Sequence, residues 1–165
     1  MALREIRTEG DPVLQKVCRP VKQMTPRLRV LIDDMLDTMY EAEGVGLAAP
    51  QVGVLRRIVV IDVGEGPIIL VNPEMVEKDG EQTGDEGCLS VPGMAGQVTR
   101  PAHVKVKGLN EEMMPVEYEG EGLLARAFCH ELDHLEGVMY TSLVEGELHE
   151  ARYEEEDSES GDGEE

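Results

Sequence analysis

Two stretches of this chain repeat their apolar residues at helical spacing, and much of what lies between them runs apolar or alternates over strand-like lengths. In the first, Leu28, Leu31, Ile32, Met35, Leu36, Met39 and Tyr40 recur at intervals of three and four, which predicts an amphipathic helix whose stripe is core. Thr25 is placed to cap its N-terminus, Pro26 suits its first position, and Gly44 is placed to stop it. In the second, read from Glu121, the residues Leu123, Leu124, Ala127, Phe128 and Leu135 keep helical spacing. His130 and His134 fall on the stripe begun by Leu123 and Ala127, so both imidazoles are expected to face inward.

The middle reads as β. Residues 57–63 and 67–73 are short β-branched runs across Gly64-Glu65-Gly66, which predicts adjacent antiparallel strands. Residues 103–109 alternate, and 113–119 follow across Asn110-Glu111-Glu112, as a hairpin would. Gly10-Asp11-Pro12 predicts a turn before a short apolar segment. Together these elements predict an α+β domain, with antiparallel β-sheets packed around a C-terminal helix and one N-terminal helix.

At 165 residues the chain is sized for one domain, able to bury roughly two thirds of its unfolded surface without a staple. Charge divides it. The formal net charge is −20, of which residues 154–165, with eight acids and no base, hold −8. Residues 1–150 are therefore assigned to the folded body and 151–165 to an acidic tail expected to be disordered. A body that is itself strongly acidic argues against direct binding to nucleic acid or to an anionic membrane. Residues 1–6 are too polar for a signal peptide, and no apolar run approaches the roughly 20 residues that span a bilayer. Three widely spaced cysteines, Cys18, Cys88 and Cys129, make no disulfide framework and suit a reducing compartment. The expected location is the cytoplasm.

The candidate chemistry sits on the second helix, where His130-Glu131-Leu132-Asp133-His134 is an H-E-x-x-H pattern. At about 100° per residue, histidines four apart share a face, one turn apart, where both can grip one ion. Glu131, one step from His130, then stands beside the ion as a general base should. A third ligand is still needed, with a fourth position open for water if the site is catalytic. Cys88, in Asp85-Glu86-Gly87-Cys88-Leu89-Ser90, is the best candidate by chemistry. Cys129 sits about 100° round the helix from His130 and should point elsewhere. Gly44-Val45-Gly46-Leu47-Ala48-Ala49-Pro50-Gln51 is a small-residue stretch that another chain could approach closely. It lacks the Lys-Ser/Thr ending of a phosphate loop, and its spacing does not match a dinucleotide fingerprint. On the residues alone, a zinc peptidase and a closed structural metal site remain alternatives.

Three stretches, Gly44 to Gln51, Glu86 to Ser90 and His130 to His134, resemble in order and spacing the signature motifs of the peptide deformylases, and the resemblance runs from about Ile6 to Leu143. That family removes the formyl group from the N-terminal methionine of new polypeptides. Residue by residue, the resemblance implies that Cys88, His130 and His134 hold the metal and that Glu131 moves the proton. It also implies that Gln51 and the backbone N–H of Leu89 face the developing oxyanion. Val45, Gly46 and Gly87 would pair with the substrate backbone, Leu123 and Ala127 would form the methionine pocket, and Glu86 and Arg100 a supporting ion pair. Two imidazoles and a thiolate suit zinc, whereas the resemblance implies Fe2+, with Ni2+, Co2+ or Zn2+ able to substitute. The expected partners are N-formylmethionyl peptides or nascent chains, with transient ribosome proximity. Where some members carry a basic helix associated with the ribosome, this sequence carries acids.

Overall fold

The computed structural model describes residues 2–151, so most of the acidic stretch expected to be disordered lies outside the described residues. Helix α1 is Pro26–Glu41 and helix α2 is Gly122–Leu135. The strands are β1 (Gly46–Ala48), β2 (Ile58–Ile61), β3 (Ile68–Asp79), β4 (Gln82–Cys88), β5 (Val91–Arg100), β6 (His103–Leu109), β7 (Pro115–Glu121) and β8 (Glu145–Glu150). They form two antiparallel sheets, a five-stranded one in the order β1-β2-β3-β6-β7 and a three-stranded one in the order β4-β5-β8. This is the expected α+β arrangement, and among the described residues no helix is long and apolar enough to cross a membrane.

The apolar run of β2 is explained by what covers it. Val59 and Ile61 pack with Phe128, Ala125, Ala127 and Leu135 of α2, while Ile58 and Val60 pack with Leu31, Ile32, Met35 and Met39 of α1. A strand buried on both faces has no reason to alternate. The five-stranded sheet therefore lies between the helices, with α2 and its two histidines packed on one face and α1 on the other. A third cluster, Leu14, Val91, Val98, Met139 and Tyr140, supports the small sheet.

Local signals place the ends of α1. The Thr25 Oγ1 accepts from the Leu28 N–H at 3.1 Å, Pro26 opens the helix, and the Gly44 N–H donates to the Met39 carbonyl just past its end. Replacing Thr25 by Ala is expected to cost about 1 kcal/mol of stability, measured as a shift in the urea midpoint. Tyr40, expected on the buried stripe, is instead half-exposed and donates its hydroxyl to Asp62. Strand β3 runs past Pro73 to Asp79. A register shift between Val71 and Glu74, with Asn72 at φ 53°, makes a bulge that accommodates the proline. Asn72 is held there by a two-way bond with the backbone of Val21, at 2.8 Å each way.

Candidate metal centre

Cys88 lies where β4 breaks register, at the shift between Gly87 and Cys88, and it faces the histidine side of α2. The ligating atoms of Cys88, His130 and His134 all lie within 4.8 Å of one another, and the Cys88 Sγ is 3.3 Å from the His134 Nε2. Cys129 and His149 are not in this group. His149, the downstream histidine that a peptidase-type site would recruit, reaches the Asp85 carboxylate at 3.2 Å.

The donor set fits a metal ion on its own chemistry. A sulfur and two imidazoles converge at a buried point, and three protein ligands leave a coordination position open. The His134 Nδ1 and Glu131 Oε1 are buried without a hydrogen-bond partner among the described residues. Such orphaned atoms are costly in a site that is complete as it stands.

The ring of His130 is fixed from behind. Its Nδ1 lies 2.6 Å from the Glu86 Oε2, which leaves Nε2 for the ion, the usual arrangement for a ligating histidine. Burial alone would raise the Glu86 carboxyl, but the hydrogen bonds from His130 and Arg100 outweigh it and bring it down to about 2. Arg100 grips Glu86 with Nε at 3.0 Å and Nη2 at 2.6 Å and reaches Asp133 at 2.7 Å. The Glu86–Arg100 pair expected from the resemblance is thus present. Its further members, Arg126 and Asp133, carried no signal in a single sequence, because their partners are remote along the chain. Burial disfavours a charged His130, yet Cys88 and Glu86 beside it hold its pKa well above the ordinary value. Burial and the neighbouring His130 push His134 the other way.

Glu131 is 4% exposed, and burial raises its carboxyl to about 7, into the range where a base can take and return a proton. Gly46 makes room for it. A Cβ on Gly46 would lie 2.5 Å from the Glu131 Oε2, and one on Gly44 would lie 2.6 Å from the Leu89 Cδ1. The two glycines seat the side chains of two candidate site residues, a role that the sequence reading did not assign them. Gly46→Ala is expected to displace the Glu131 carboxylate and lower kcat at least tenfold with metal content unchanged. Turnover and metal content, measured on the same preparation, check this.

Gln51 is 1% exposed, in a 3-10 turn, Ala49–Val52, that follows β1. Its Oε1 accepts from the Ala48 N–H at 2.9 Å, so its Nε2 must face the site, where it donates to Ser90 Oγ at 3.0 Å and lies 3.5 Å from the Cys88 sulfur. Ser90, fully buried, had been quoted within its motif without a role. Leu89, between Cys88 and Ser90, is partly buried.

Both strands next to the centre are sheet edges. Among the described residues, β1 pairs only with β2, and β4 only with β5. The Asp62 N–H donates to the Val45 carbonyl, and with Gly46 opposite Ile61 the antiparallel alternation turns the Gly46 N–H and C=O off the sheet. Val45 and Gly87 are exposed on these edges. On α2, Ala127 is buried, whereas Leu123 in the first turn is 53% exposed and borders an open cavity of about 500 Å³ with Leu124, Val63 and Glu121. The stripe leading to the histidines is therefore buried from Ala127 onward, not from Leu123.

A family model described as polypeptide deformylase matches residues 3–148. A peptide deformylase of Agathobacter rectalis is 70% identical over 93% of this chain and 98% of that protein. The crystal structure of a peptide deformylase from Thermotoga maritima superposes with a TM-score of 0.85 at 44% identity, over 87% of this chain and 99% of that one. That from Legionella pneumophila superposes with 0.84 at 45% identity, over 87% and 86%. With the fold, the gathered donors and these relatives in agreement, the chain belongs to the polypeptide deformylase family.

Proposed function

We propose that Glu131 drives removal of the formyl group from formyl-methionyl polypeptides, beside one ferrous ion held by Cys88, His130 and His134. Membership of the family makes the chain a metal-dependent amide hydrolase that acts on the N-terminal formyl-methionine of new polypeptides and releases formate. The observation that carries the residue assignment is a buried carboxylate, raised to about 7, adjoining a cysteine–histidine cluster whose ligating atoms lie within 4.8 Å.

When bound, the ion supplies Lewis acidity, polarising the formyl carbonyl and making water more acidic. Glu131 takes a proton from the water that attacks the formyl carbon and returns it to the amine nitrogen as the C–N bond breaks. Formate leaves, and the peptide keeps a free N-terminus. The Gln51 Nε2, aimed by its bond to Ala48, and the Leu89 N–H donate to the oxyanion, each worth about 3 kcal/mol in such sites. The substrate backbone adds to the sheet edges through Gly46 and Val45 on one side and Gly87 on the other. Leu123 and Ala127 form the apolar wall for the methionine side chain.

A thiolate and two imidazoles would also take zinc, nickel or cobalt. Ferrous iron is the reading that follows from the family, and it predicts loss of activity in air as the metal leaves and Cys88 oxidises. Action on nascent chains places the enzyme in the cytoplasm, transiently near the ribosome. The test is mass analysis of a formyl-Met tripeptide after incubation. Loss of the formyl group with the peptide bonds intact supports the proposal, and internal cleavage contradicts it.

A further inference from the structure

Arg126 lies on α2 one turn before His130 and therefore on the same face. It is only 8% exposed, and a buried guanidinium is costly unless it is paired. Its Nη1 donates to the Glu86 Oε1 at 2.9 Å and to the Val98 carbonyl at 3.0 Å. Gly84 stands opposite Val98 in the β4–β5 ladder. Lacking a side chain, it leaves space for the guanidinium, whose Nη2 is 3.5 Å from where a Cβ would be. Arg126 thus lies across β4 and β5 of the small sheet and closes on the carboxylate that holds His130.

The network has a clear division. Arg100 belongs to β5 and Glu86 to β4, whereas Arg126 and Asp133 belong to α2 and bracket His130 one turn to either side. The three candidate ligands come from two separate elements, Cys88 from β4 and the histidines from α2, and no main-chain ladder joins the two. What sets their separation on this side is the pair of links Arg126–Glu86 and Arg100–Asp133, at 2.9 Å and 2.7 Å.

We propose that Arg126 is a positioning residue for the metal site: by tying the histidine-bearing helix to the cysteine-bearing strand through Glu86, it sets how tightly the ion is held. This rests on Cys88, His130 and His134 being the ligands. Without Arg126, only His130 and the Arg100–Asp133 link are left to join α2 to the Glu86 carboxylate, and His130 must serve as both anchor and ligand. Charge alone predicts the opposite, because removing a cation near a bound cation strengthens binding. The sign of the change therefore separates positioning from electrostatics.

The experiment measures the Kd of metal-free protein for Ni2+ by chelator competition, with circular dichroism to confirm the fold. Variants are Arg126→Met, Arg126→Lys and, as a control, Arg57→Met, which removes a different tie at the end of α2, Arg57 to Glu136 at 2.7 Å. Arg126→Met is expected to weaken Ni2+ binding about 10–100-fold, the usual loss when a partner of a ligating histidine is disturbed. Arg126→Lys keeps the charge but loses the planar fork, and is expected to weaken it severalfold, with the control within twofold of the parent. A folded Arg126→Met that binds as tightly as the parent, or more tightly, overturns the proposal. Should that variant fail to fold, Arg126→Lys decides, and a parent-like Kd overturns it. Parent-like Ni2+ binding by Cys88→Ser would instead remove the ligand assignment, and the positioning role with it.

Discussion

Replacing Glu131 by Ala is expected to lower formate release by about 10²–10⁴-fold, the range lost when a positioned proton carrier is removed, while the ion stays in place. The geometry separates these two outcomes. Glu131 is on the same helix as both histidines, but the clustered donor atoms are those of Cys88, His130 and His134. Its carboxylate lies against Gly46 at the sheet edge, with Oε1 free of partners among the described residues. Removing it leaves every ligand and the Glu86 support behind His130 untouched. The loss should fall on kcat, with KM little changed, because the proton is moved during reaction and not during binding. A Glu131→Ala protein that holds metal and retains near-parent kcat would rule this carboxylate out as the base.

Cys88→Ala is expected to abolish activity by a different route, through loss of the metal. Removing a direct ligand should weaken binding by more than the about 10–100-fold typical of an outer partner. The fold should persist, since the three hydrophobic clusters are built of apolar side chains from the helices, the strands and the turns between them. Cys88 itself is only partly buried against the third cluster. The expected result is a metal-free protein with a parent-like circular dichroism spectrum, a Tm within a few degrees of the metal-free parent, and no formate released at any added metal. A variant that binds nickel as tightly as the parent would show that the sulfur is not a ligand.

The helices were legible because their signals are local and redundant. Thr25 and Pro26 cap α1, and its apolar stripe needs only one covering sheet. β2, β3, β6 and β7 were legible in outline from β-branched runs, although β3 outlasts its proline through a bulge at Asn72 that no local pattern announces. β1, β4, β5 and β8 went unread. β4, Gln-Thr-Gly-Asp-Glu-Gly-Cys, turns Glu86 inward where an ordinary strand would place an aliphatic residue, so the chemistry of the site erases the alternation that identifies a strand. β5 is interrupted by a proline and two glycines, and β8, Glu-Gly-Glu-Leu-His-Glu, is almost wholly polar.

The site divides in the same way. H-E-x-x-H is legible because both proposed ligands and the proposed base lie within five residues of one helix, and Cys88 was the best candidate for the ligand that remained to be supplied. Gly44 and Gly46 were legible as places where a chain could approach. Only the structure shows that the Leu89 and Glu131 side chains occupy the space beside them. Arg126, Asp133 and Ser90 were invisible, since their meaning depends on partners 28 to 40 positions away in the chain. Leu123, at the start of the stripe, is 53% exposed, since helical spacing predicts a face but not how far along the helix that face is covered.

The most direct test of the central claim is formate release from a formyl-Met tripeptide by protein prepared anaerobically with one ferrous or nickel ion per chain. Formate and deformylated peptide are expected in equal amounts, with turnover rising in proportion to bound metal and absent from metal-free protein. Protein that carries its metal and releases no formate would contradict that claim.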